Sequence, residues 1–176
     1  MKILKVLLVA TLILNGGIIS AQSKKDKKIM KDAERAKQTL LDQVPGIDDF
    51  FEDSAGYVIF PNVGKGGFII GGASGNGVVY ENGEKIGMAG LKKLNIGLQA
   101  GGQAIIEVIF FETGADLEDF KDGDFEFEAG ASAVALKSGV SLNAKYKDGV
   151  AVFALPKAGL MADASIGGQK FNYKPF

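Results

Sequence analysis

The sequence predicts an α+β fold, mainly antiparallel β, with a barrel-like or strongly curved sheet and an N-terminal amphipathic helix. Three observations lead there. Glycine supplies 25 of 176 residues, without a collagen period and beside only 4 prolines, a composition of many strands and tight turns. Short apolar or alternating runs recur between turn dipeptides such as Asn82-Gly83, Asp122-Gly123 and Asp148-Gly149. One early segment instead repeats its apolar residues at helical spacing: Ile29, Ala33, Ala36 and Leu40. Glycines crowd the stretch from Ala55 to Gln103, and a sheet that coils needs glycine at its bends. At 47% hydrophobic and 23% charged, the chain can form one domain around one core.

Residues 1–21 read as a secretory signal peptide. Lys2 and Lys5 precede an apolar run, Val6 to Leu14, which breaks at Asn15-Gly16-Gly17 and leads to a small residue, Ala21. The run is shorter than the roughly 20 apolar residues a membrane span needs. The expectation is export to the periplasm or the medium. Residues 22–44 form a basic amphipathic helix that begins with Lys24, Lys25, Lys27, Lys28 and Lys31, opposed by Asp26. Positive charge at a helix N-terminus opposes the macrodipole, so this start gains little from local electrostatics. Pro45 stops the helix and allows another to begin, the acidic Asp48–Glu52 turn.

Residues 45–176 then read as strand and turn. Tyr57 to Phe60 is apolar up to Pro61, and Phe68-Ile69-Ile70 reads as strand. Val78–Tyr80 and Lys85–Ala89 flank Asn82-Gly83, the strongest short hairpin signal. Gln103 to Thr113 is a central strand buried on both faces, with Glu107 its one charge. Gly114 to Phe120 is a short helix. Asp124 to Ala129 alternates as a half-exposed strand, and Ser141–Tyr146 pairs with Val150–Leu155 across Asp148-Gly149. Leu160 to Ile166 and Phe171 to Tyr173 close the chain as strand.

Composition removes several mechanisms. The chain has no His, Cys or Trp, so there is no histidine base, thiol nucleophile, disulfide or thiolate zinc site. A net charge of −1 gives no global pull toward nucleic acid. Gly64-Lys65-Gly66-Gly67 fails the phosphate-loop pattern, because no Ser or Thr follows Lys65 to hold magnesium. The acidic residues from Asp116 to Glu128 lack EF-hand spacing and read as a solvated face. Ser74 and Ser132 lack a nucleophile-elbow context. No motif implies a cofactor, and the reading is a non-enzyme.

Four ordered motifs carry a resemblance. Gly56–Val79 (GYVIFPNVGKGGFIIGGASGNGVV), Gly97–Gln103 (GLQAGGQ), Phe110-Phe111 and Gly159–Ala162 (GLMA), preceded by Val44-Pro45, resemble the SYLF lipid-binding domain. That domain is also found in yeast actin-patch proteins. The resemblance covers about Val44 to Lys170, and Glu107 departs from it by placing a charge where the family is usually uncharged. It implies affinity for phospholipid head groups and, for an exported member, an envelope role. No SH3 domain or actin-binding extension accompanies it, so the actin role does not carry over.

Physics supplies the binding residues. Lys24, Lys25, Lys27, Lys28 and Lys31 beside an amphipathic face suit an anionic membrane, at ~1 kcal/mol per lysine near the surface. Lys65, on a glycine-rich turn, suits a lipid phosphate assisted by bare N–H groups. Lys92 and Lys93 add a second basic patch, with Lys145 and Lys147 if the fold gathers them. The expected partner is anionic phospholipid or a membrane surface, with no nucleic acid. Two alternatives stay open: a small outer-membrane β-barrel, and an envelope enzyme.

Overall fold

The computed structural model describes residues 24–64, 73–93, 104–123, 134–139, 142, 144–157 and 169–176. Their elements are, in order, α1 (Lys24–Gln43), α2 (Ile47–Asp53), β1 (Gly56–Val63), β2 (Ala73–Glu81), β3 (Glu84–Lys93), β4 (Ile105–Phe111), α3 (Gly114–Asp122), β5 (Val134–Ala135), β6 (Val150–Pro156) and β7 (Gln169–Pro175). The strands form one sheet in the order β5-β6-β4-β1-β2-β3-β7. Six run antiparallel to their neighbours, and the two-residue β5 joins β6 in parallel.

This corrects the expected barrel-like or strongly curved sheet. The sheet is open, with β5 at one edge and β7 at the other, and among the described residues the two edges do not pair. Two physical features account for the difference. The β7 edge exposes Lys170, Asn172 and Lys174 and ends at Pro175, which discourages further pairing. The strand glycines make room for neighbours instead of bending the sheet. A Cβ on Gly77 would fall 2.6 Å from the Ile59 carbonyl oxygen and 2.7 Å from the Phe60 ring.

Each face of the sheet is apolar, so strand alternation builds two cores. Val58, Phe60, Ile109 and Phe111 face α3 and its Leu117 and Phe120. Tyr57, Ile59, Val108, Phe110 and Phe153 face α1 and its Ala33, Ala36 and Leu40. Burying a Phe of this kind stabilises by about 1.5–3 kcal/mol, so the Phe50–Phe51–Phe110–Phe153 cluster is a main anchor of α2. β4 is buried along its whole length, as expected of a central strand, and Glu107 is 0% exposed within it.

Local chemistry sets the boundaries. α1 closes with the Val44 N–H on the Leu40 carbonyl at 2.9 Å, and Gly46 takes φ 88° before α2 starts. β1 runs on past Pro61, which has no N–H for the ladder, through a register shift between Phe60 and Val63. Asn82 and Gly83 both have positive φ and turn β2 into β3, as the hairpin signal predicts. Thr113 caps α3 reciprocally with Asp116, and Gly123 ends it at φ 82°. The expected Ser141–Tyr146 strand is corrected. Of that segment the structure describes residues 142 and 144–146, which lie outside any strand, and an isolated bridge pairs Lys147 with Val150. The strands expected at Phe68–Ile70, Asp124–Ala129 and Leu160–Ile166 lie outside the described residues.

Candidate functional site

α1 lies on the sheet through its Ala33–Ala36–Leu40 stripe, which leaves two flanks. The flank toward the ends of β1, β4 and β6 is cationic. Lys28 Nζ lies 2.6 Å from Asp32 Oδ2, and Arg35 donates to Asp32 Oδ1 from one turn further on. This spacing places all three side chains on one side of the helix. The Asp32 side chain is only 13% exposed, whereas Lys28 and Arg35 remain 74% and 65% exposed. The carboxylate is therefore the inner anchor and the two cations reach outward. The hydrogen bond from Lys28 holds the Asp32 carboxyl below its usual pKa; burial opposes this and the Arg35 bond adds to it.

A third cation approaches from the sheet. Lys157, immediately after β6, donates to Asn62 Oδ1 of β1 and lines the same cleft as Lys28 and Arg35. The cleft has a volume of about 470 Å³, and Ile106, Leu155 and Pro156 give it an apolar side. Burial lowers the pKa of Lys157; Asp32 opposes the shift, and the like charges of Arg35 and Lys28 reinforce it. Three cations and one carboxylate thus line the cleft.

On the opposite flank the charges are matched. Lys85 of β3 pairs with Glu34. Lys37 Nζ sits 4.6 Å from the Phe51 ring centroid and 4.9 Å from that of Tyr57, and donates to the Tyr57 hydroxyl at 2.8 Å. Tyr57 stacks on Tyr80 at 4.8 Å, and burial pushes the Tyr80 phenol well above its usual pKa.

The residues singled out from sequence fall in different places. Lys24, Lys25, Lys27 and Lys31 are exposed on α1, and among the described residues they make no ion pair; Lys28 belongs to the cleft. Lys65 lies outside the described residues. Lys92 is exposed on β3 opposite Lys170 of β7, and Lys93 contributes its backbone to the same ladder. Lys92 and Lys147 are not brought together, because β2, β1 and β4 separate β3 from β6. Sequence reading missed Arg35, Asn62 and Lys157. Arg35 is the one arginine in the chain, and its spacing from Lys28 and Asp32 is a usable signal. Lys157 and Asn62 are 95 residues apart, and nothing local joins them. Among the described residues, no three acidic side chains gather as metal ligands, and no helix is long and apolar enough to cross a membrane.

No family model matches the chain. Among curated proteins, it is similar to Beta cell expansion factor A of Aeromonas veronii, at 30% identity over 142 residues. The match takes in 79% of this chain and 53% of that protein, so the chain spans about half the length of this relative.

Proposed function

We propose that the chain is an exported, non-enzymatic, SYLF-like protein that binds anionic phospholipid head groups at the cell envelope, associating peripherally with the membrane surface. The observation that carries this reading is the cationic N-terminal part of α1. Four exposed lysines, with no acid partner among the described residues, precede a cleft lined by Lys28, Arg35, Lys157 and one carboxylate. A surface of that sign attracts anionic lipid at ~1 kcal/mol per lysine, and the attraction is screened by salt. The motif order from Val44 to Lys170 supports the same reading. The similarity to Beta cell expansion factor A adds a second proposal: any beta-cell effect shared with it resides in the aligned part.

Flotation with vesicles containing phosphatidylglycerol tests the reading. The chain from Gln22 floats at low salt and is released at high salt. Changing Lys24, Lys25, Lys27, Lys28 and Lys31 together to Gln abolishes flotation. No flotation of the parent at low salt, or undiminished flotation of the variant, counts against it.

A further inference from the structure

We infer that the cleft between α1 and the ends of β1, β4 and β6 is a binding site for a dianionic phosphoryl group, held by Lys28, Arg35 and Lys157. This deepens the phospholipid reading, resting on it for the source of the phosphate and not for the chemistry of the cleft. Charge selects the ligand class. Three cations and one carboxylate line the cleft, which leaves a surplus of two positive charges. A phosphomonoester carries about −1.5 to −2 near pH 7 and matches that surplus, whereas a carboxylate or a phosphodiester meets only half of it.

Geometry is consistent with this assignment. Asp32 uses one oxygen on Lys28 and the other on Arg35, so it orients the cations more than it repels a ligand. The guanidinium keeps further N–H donors for the planar, two-point contacts that phosphate oxygens accept. Asn62 Oδ1 accepts from the Lys157 ammonium and fixes it. Holding Lys157 beside two like charges in a partly desolvated place is unfavourable, and an anion beside it offsets that. At about 470 Å³ the space exceeds a phosphate. The apolar side formed by Ile106, Leu155 and Pro156 accepts part of whatever the phosphate esterifies.

The test uses the chain from Gln22 with two variants: Arg35→Gln with Lys157→Gln in the cleft, and Lys24, Lys25, Lys27 and Lys31 to Gln on the outer row. Circular dichroism and urea unfolding check both for folding, and Arg35→Lys serves as the milder cleft change. Inorganic phosphate, followed by calorimetry, binds the parent and the outer-row variant saturably and binds the cleft variant at least roughly tenfold more weakly, with Arg35→Lys between them. Vesicles containing phosphatidic acid, a monoester, are compared with vesicles containing phosphatidylglycerol, a diester. A preference for phosphatidic acid that disappears in the cleft variant and survives in the outer-row variant identifies a lipid head group as the source. Phosphate binding through the cleft with equal binding of both vesicles identifies a soluble phosphate ester. Phosphate binding with no flotation on either vesicle keeps the cleft assignment and overturns the phospholipid reading. Flotation on both vesicles with no saturable phosphate binding, or with binding unchanged in the cleft variant, overturns the cleft assignment and leaves that reading standing.

Discussion

The two flanks of α1 share a helix and a core, yet they treat charge in opposite ways. Toward β3, two cations are matched within the fold: Lys85 by Glu34, and Lys37 by two aromatic faces and the Tyr57 hydroxyl. Toward β6, Lys28 and Arg35 pair with Asp32, and Lys157 lines the same cleft. Lys37 closes over the aromatic cluster beneath it and contributes to folding. Lys28 and Arg35 gain little for folding, because exposed ion pairs are worth about 0–1 kcal/mol. Charge on the matched flank serves stability; on the proposed reading, the surplus charge on the other flank is organised for an anion from outside.

Phe110→Ala should have the largest effect. Its ring is 0% exposed and lies 4.8 Å from that of Phe51 and 5.8 Å from that of Phe153. Removing it should cost about 3–5 kcal/mol in urea unfolding and weaken both flanks together, which makes it the reference against which flank-specific changes are read. Lys37→Met comes next. It keeps much of the apolar stem and loses the charge over Phe51 and Tyr57, so stability should fall by ~1 kcal/mol with phosphate binding unchanged. A loss of phosphate binding in this variant would break the contrast between the flanks.

Asp32→Asn should cost about 0.5–1 kcal/mol at neutral pH, because the carboxylate is shielded while its partners are largely exposed. The sign follows from the lowered pKa of Asp32. Its contribution is complete above the ordinary aspartate pKa and is lost as pH falls through the lowered value in the folded chain. Parent and variant should therefore converge in acid when unfolding midpoints are compared along a pH series.

The smallest effect belongs to Tyr80→Phe. The Tyr80 hydroxyl is buried and finds no hydrogen-bond partner among the described residues, so its loss should change stability by no more than about 0.5 kcal/mol. Its value lies at alkaline pH. Burial raises the phenols of Tyr80 and Tyr146, the latter to about 12, whereas in the unfolded chain they lose their protons near their usual value of 10. Stability should be full below that value and fall as pH rises from there toward the raised ones, with a shallower slope in Tyr80→Phe and Tyr146→Phe.

Local chemistry made much of the fold legible. Asn82-Gly83 gave the β2–β3 hairpin, Pro45 separated α1 from α2, and the unbroken apolar run ending in Phe110-Phe111 gave the central strand. Glycine misled, because sequence does not separate a residue that bends a strand from one that admits a neighbour. Gly77 admits the Phe60 ring, and so the expected closure of the sheet became an open sheet with two edges. The cleft was legible only along α1, where Lys28, Asp32 and Arg35 are helical neighbours. Asn62 and Lys157 reach it because β4 lies between β1 and β6, a pairing that no short-range pattern contains.

Thermal unfolding in inorganic phosphate, compared with chloride at matched ionic strength, tests the central claim most directly. A ligand that binds only the folded chain raises the midpoint with concentration. The midpoint should rise in the parent and in Lys37→Met, and stay level when Arg35 and Lys157 are both changed to Gln. An equal rise in all three, or no rise in the parent, would contradict an anion site on the surplus flank.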